Sequence, residues 1–222
     1  SAAPPVPFTF GRRAGDYQST PPDLPAQPQF THWAAVTPFA IGRAGRFRPR
    51  RPPPLGSRAY ADAVDEVRVL GVANGTVATA DQALTGRFWN GAIQNYWNEV
   101  AQTAVLSRHL TTAESARLFA PLDITLADCV IAFYDAKYAY GRWRPVTAIR
   151  AAADDGNPRT TGDPAWEPFL MTPPVPDYPS THTVVGAAAA EVLIALFGDK
   201  VAYDTTSLTL PGVARHYTGF ST

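Results

Sequence analysis

Five polar or charged residues in two stretches of the 222-residue chain could bind an anion or merely cap helices. The first stretch, KYAYGRWRP, sets Lys137 at the end of a largely apolar run and Arg144 directly before Pro145. An ammonium so placed needs a partner or a route to water. Gly141 breaks the preceding helix and Pro145 restarts it in a new direction, so Lys137 and Arg144 are expected to aim at a common point, with Trp143 as a packing wall. The second stretch, DYPSTHTVVGAAAA, puts Ser180, Thr181 and His182 directly after Pro179. Proline disfavours helical geometry in the residue before it, so the helix is predicted to begin at Ser180. The first N–H groups of a helix lack partners and carry partial positive charge, which makes that end an anion site once a hydroxyl and an imidazole join it. Each stretch also has a plainer reading. Cations gather at helix C-termini because the dipole favours them, and Ser180 or Thr181 can simply cap while His182 sits on the surface of the first turn.

The elements that must position these groups are helical. SRAYADAVDEVRVLG opens on the cap candidate Ser57 and closes on Gly71, with Tyr60, Val64, Val67 and Leu70 on one face. TADQALTGRFWNG gives a second helix capped by Thr79, and QNYWNEVAQTAVLSR a third. Thr111 and Glu114 form a capping box at the start of a fourth. Pro121 is expected to interrupt that helix, which resumes as a nearly all-apolar segment from Asp123 to about Tyr140. A helix apolar on most sides belongs in the middle of a bundle. RPVTAIRAA is a short helix with Pro145 in its first turn. A Pro-, Gly- and Asp-rich loop from Asp154 to Tyr178 leads to the helix Ser180–Phe197, closed by Gly198, whose small residues after Gly186 permit close helix approach. Strand-like alternation is weak and confined to TSLTL. The predicted class is an all-α helical bundle. Residues 1–55, rich in the chain's 22 prolines, are read as an extended arm packed on a body formed by residues 56–222, with Trp33 and Phe39 of HWAAVTPF as docking anchors.

Bulk properties narrow the function classes. The chain is 45% hydrophobic, which fits a packed globule, and its 19 basic and 19 acidic residues balance. Whole-surface attraction to nucleic acid or anionic membrane is therefore not expected, although a local basic pocket is compatible with neutrality. Arg43, Arg46, Arg48, Arg50 and Arg51 cluster with little aromatic interleaving and read as a solvated linker. No apolar run reaches the length of a membrane span. The single Cys129, in LADCVIAFY, reads as a buried structural thiol, and the four histidines show no zinc-like spacing. The start SAAPPVPF reads as a processed end, with export to a secreted or periplasmic location as the expectation.

A lysine followed after a short gap by Arg-Pro, and then Pro-Ser-x-His at a helix start, resembles the first two motifs of one superfamily. It contains the vanadium-dependent haloperoxidases and the type 2 phosphatidic acid phosphatases. FWN, SARLFAPLDITLADCVIAFYDAKYAYGRWRPVTAIR and the segment ending YPSTH are similar to its soluble bacterial haloperoxidase-related branch, from about His32 onward. The resemblance implies a helical bundle. It implies that Lys137 and Arg144 bind the oxygens of vanadate or phosphate and that Ser180 hydrogen-bonds the same anion. Thr181, standing where glycine is usual, would offer its backbone N–H, and His182 would be the acid–base group. Fixed donors of this kind stabilise charge on equatorial oxygens, and vanadate mimics the geometry of phosphoryl transfer.

The family's third motif, Ser-Arg followed after a short gap by His, has no match, since Arg215 and His216 are adjacent. The ligating histidine is therefore expected beyond Thr222, and an isolated 222-residue chain is not expected to turn over. His32, His109 and His216 read as loop or surface residues. The resemblance implies a vanadate-dependent haloperoxidase that oxidises halide with hydrogen peroxide. Its alternatives are a soluble acid phosphatase acting on a phosphate ester through a phosphohistidine, and a catalytically incomplete anion-binding relative.

Overall fold

The computed structural model describes residues 4–221, so the start at Ser1 to Ala3 lies outside the described residues. The chain is a mostly helical bundle built from α1 (Arg58–Leu70), α2 (Ala80–Phe88), α3 (Ile93–Ser107), α4 (Thr112–Tyr140), α5 (Pro145–Arg150) and α6 (Thr181–Phe197). A small antiparallel sheet of β1 (Tyr203–Thr206) and β2 (Ala214–Tyr217) is added, with Tyr203 opposite Tyr217. Between residues 4 and 56 the chain forms only two short 3-10 turns, Trp33–Ala35 and Ala44–Phe47. None of the helices is long and apolar enough to cross a membrane, among the described residues. The residues fall into two compact units. One takes the described residues through Val36, with Phe47–Ala80 and Tyr134–Pro179; the other takes Thr37–Arg46, Asp81–Phe133 and the described residues from Ser180 onward.

In the first unit, α1 packs on α5 around Tyr60, Val64, Trp143, Val146, Ile149 and Trp166. Ser57 starts α1 as predicted, its hydroxyl accepting from the Tyr60 N–H at 3.2 Å. Trp166 is fixed by its indole N–H, which donates to the Arg68 carbonyl at 2.9 Å. The break after α4 is held on two sides. Tyr17 N–H donates to Gly141 O at 2.7 Å, and Trp143 N–H donates to Gly15 O at 3.0 Å. Gly141 has φ 52°, a conformation that favours glycine, so the sharp turn between α4 and α5 depends on it.

In the second unit, α3 packs against α6 and β1. Gly186 supplies the close approach: a Cβ there would lie 3.4 Å from the Trp97 indole nitrogen. Glu99 on α3 ties down β1, accepting from Thr206 N–H at 3.1 Å and from the Thr206 hydroxyl at 2.7 Å. The capping box at the start of α4 forms, with Thr111 N–H donating to Glu114 at 2.8 Å and Glu114 N–H donating to the Thr111 hydroxyl at 3.3 Å.

Three expectations are corrected. Pro121 does not interrupt α4, which runs unbroken from Thr112 to Tyr140. Its ring lies on the exposed side, while Leu118, Leu122 and Leu126 stay buried, so the apolar face continues across it. An interior proline still forfeits a hydrogen bond and strains the turn at a cost of about 3 kcal/mol. Pro121→Ala is therefore expected to raise stability by roughly 1–3 kcal/mol, after allowing for the freer unfolded chain. Urea unfolding checks this, and a lowered midpoint would contradict it. Phe39 does not dock, being 74% exposed. Its segment is anchored through backbone instead: the buried Asp128 carboxylate accepts from Phe39, Ala40 and Ile41 N–H at 2.6–3.0 Å. Of the strand signal TSLTL, Thr206 ends β1 and the rest falls in the connection between β1 and β2. Cys129 is half-buried, and burial pushes its thiol pKa up.

Candidate oxyanion site

Lys137 sits in the last turn of α4 and is 1% exposed. The position follows from the apolar character of that helix, which carries the ammonium inward with the rest of the buried face. Its Nζ donates to two backbone carbonyls, Pro176 O at 2.9 Å and Asp177 O at 2.7 Å. Neither acceptor carries a full charge. Burial, with the nearby Arg144 guanidinium, pulls the Lys137 pKa down to about 7, against a smaller opposing pull from Asp177.

Arg144 is the residue before α5, in extended geometry with φ −81° and ψ 155°, and Pro145 follows as the first helical residue. That proline enforces the extended backbone of Arg144 and so directs it away from the helix axis. Its Nη1 meets Asp177 Oδ1 at 3.2 Å. Its Nε is buried and lacks a hydrogen-bond partner among the described residues. Lys137 and Arg144 thus converge on one short segment, 176–177, as the turn at Gly141 implied. Asp177 is the functional neighbour to which the sequence reading gave no role. Its signal was an acid beside a proline-rich turn, in a chain where two cations needed company.

In the second unit, Ser180 is the N-cap of α6, and its hydroxyl accepts from the Thr183 N–H at 3.4 Å. Thr181 opens the helix and is half-buried. His182 is exposed, and its Nε2–H donates to the Trp89 carbonyl at 2.8 Å, which leaves Nδ1 as the ring's free position in the neutral form. The remaining histidines are placed elsewhere. His32 stacks beside Trp33, and His109 is exposed with φ 52°. His216 lies on β2, with Nδ1 at 2.9 Å from Asp204 on β1. Arg215 pairs with Asp81 at 3.0 Å.

A family described as "VCPO second helical-bundle domain" matches residues 117–218, a span containing Lys137, Arg144, Ser180, Thr181 and His182. The chain is 28% identical over 184 residues to the vanadium chloroperoxidase of Curvularia inaequalis, covering 68% of this chain and 30% of that one. A bacterial vanadium-dependent iodoperoxidase structure is 28% identical, with a TM-score of 0.78 over 96% of this chain and 53% of its own. In sequence and in fold the chain is similar to the vanadium haloperoxidases. The holo form of a bacterial vanadium-dependent chloroperoxidase, at 17% identity and a TM-score of 0.71, shows the same fold over 99% of this chain and 56% of its own. The chain thus spans about half the length of the solved relatives and under a third of the curated one.

The donors in the first unit suit an anion. In the first unit, the Lys137 Nζ and the Arg144 Nε, which lacks a partner among the described residues, are cationic N–H donors. A tetrahedral or bipyramidal oxyanion asks for donors, and this set contains few competing acceptors beyond Asp177.

Proposed function

We propose that the chain works in a vanadate-dependent haloperoxidase, an enzyme that oxidises halide with hydrogen peroxide. The observation that carries this reading is the buried Lys137 beside Arg144, whose Nε has no partner among the described residues. Burying a lysine whose acceptors are only carbonyls is costly, and an incoming anion would relieve that cost. Lys137 and Arg144 would bind the anion's oxygens, and Arg144 would exchange part of its pairing with Asp177 for the ligand. In the second unit, the Ser180 hydroxyl and the Thr181 N–H at the start of α6 are donors of the kind an anion takes. His182, anchored through Nε2 on Trp89 O, would hold or release a proton at Nδ1. Vanadate, when bound, supplies the electrophilic centre at which peroxide is activated toward halide. The names of the relatives, a chloroperoxidase and an iodoperoxidase, support the reaction class and leave the halide open.

The test is competition. Vanadate and phosphate should displace one another from the chain, since both present tetrahedral oxygens to the same donors. Lys137→Ala should weaken vanadate binding by roughly one to two decades, the worth of a charge-assisted hydrogen bond of about 1.5–3 kcal/mol. Unchanged vanadate affinity in that variant would overturn the assignment of Lys137. Hydrolysis of a phosphate monoester, with vanadate acting only as an inhibitor, would make the enzyme a phosphatase on the same donors.

A further inference from the structure

We infer that the first unit holds a second ligand site, for a single-ring organic carboxylate, in the cleft between α1 and the Arg142–Pro145 turn. The cleft has a volume of about 200 Å³. An apolar cavity of roughly 150 Å³ accepts benzene, so one ring with a small substituent fits here. Its walls are largely apolar and partly aromatic, from Pro52, Pro53, Val64, Val67, Tyr60 and Tyr178. The polar feature that would choose a ligand is Arg142.

The Arg142 guanidinium lies over the Tyr60 ring, 4.9 Å from its centroid. Its Nη2 reaches the Pro53 carbonyl only at 3.3 Å, a long contact for a group with five donors. Its backbone is pinned: Asp177 N–H donates to Arg142 O at 2.9 Å, and Arg142 bridges to Asp16 on its other side. A half-buried guanidinium held in place at the edge of an apolar cleft is built for a planar, singly charged carboxylate with an apolar body. A multiply charged phosphate is disfavoured, because Asp177 lines the same cleft. Asp177 itself is engaged by Arg144, so it does not neutralise Arg142 at hydrogen-bond range. This site uses none of the residues proposed to bind vanadate.

Benzoate is the probe, with benzyl alcohol as its neutral counterpart and inorganic phosphate as competitor, all titrated against the 222-residue chain by ligand-observed NMR. The expected result is saturable benzoate binding, at least tenfold weaker binding of benzyl alcohol, and no displacement of benzoate by phosphate. Arg142→Gln should weaken benzoate at least tenfold while phosphate binding stays. Should that variant fail to fold, Ala63→Phe gives an independent reading. Ala63 is exposed and lines the cleft, so the new ring fills the space from its rim and should abolish benzoate binding without touching the core. Absence of saturable binding, equal affinity for benzyl alcohol, unchanged binding in a folded Arg142→Gln or Ala63→Phe, or displacement by phosphate would each overturn the proposal.

Discussion

Sulfate should bind this chain about tenfold more weakly for each pH unit above about 7, and Lys137→Met should abolish that dependence. The Lys137 pKa is drawn from 10.5 to about 7, first by burial and then by Arg144. Near neutrality, part of the population therefore carries a neutral amine. An anion against Nζ favours the charged form, so binding takes up a proton and its affinity tracks the charged fraction. Above the pKa that fraction falls one decade per unit. Sulfate is the right probe because it does not titrate in this range, whereas phosphate does. The residual affinity of Lys137→Met should be low and flat. Calorimetry at fixed ionic strength between pH 7 and 9 checks the slope, since screening alone would shift all values together. A flat wild-type profile would mean that Lys137 does not meet the anion.

Why this lysine was legible, and its partners were not, follows from range. A cation at the end of an apolar helix, a glycine and an arginine before proline are local signals, and the structure brings Lys137 and Arg144 onto one segment as they implied. Caps are local too, and Ser57, Thr111 and Ser180 all start helices where the sequence places them. Asp177 contributes a carbonyl to one cation and a carboxylate to the other, and that depends on how the loop returns to α4, across 40 residues of sequence. Asp128 is the same case: nothing near it shows that its carboxylate collects three N–H groups from residues 39–41. Pro121 shows the opposite error, a strong local signal overridden. Helix propensity is a weak prior, and a buried leucine on either side of the proline outweighs its strain. The weak alternation in TSLTL overlaps β1 only at Thr206, because alternation over four residues is short enough to be mimicked by a polar turn.

The same buried lysine should make stability depend on pH, and the response of that dependence to an anion distinguishes a binding lysine from a packing one. Lys137 has a pKa of about 7 in the folded chain and 10.5 as its ordinary value. Between those values the unfolded chain holds more protons than the folded one, so stability rises with pH. Below about 7 both states are charged and the full cost of burying the ammonium is felt; above 10.5 neither is. The gain is limited to about 1.4 kcal/mol per pH unit, or roughly 3 kcal/mol from pH 7 to 9.5. Tyr17, Tyr134 and Tyr203, pushed up to about 12 by burial, act in the other direction once pH passes 10, so the window must stop short of that. Urea unfolding of wild type and Lys137→Met, in zwitterionic buffers, isolates the lysine as the difference between two curves. That difference should grow with pH in favour of the wild type, and parallel curves would mean that Lys137 is charged throughout. Saturating sulfate then supplies the discriminating step. An anion bound to Nζ restores the folded pKa toward its ordinary value, so the wild-type slope should flatten while the Lys137→Met curve keeps its shape. A lysine buried only to pack would keep its slope whatever anion is added, because nothing would reach its charge.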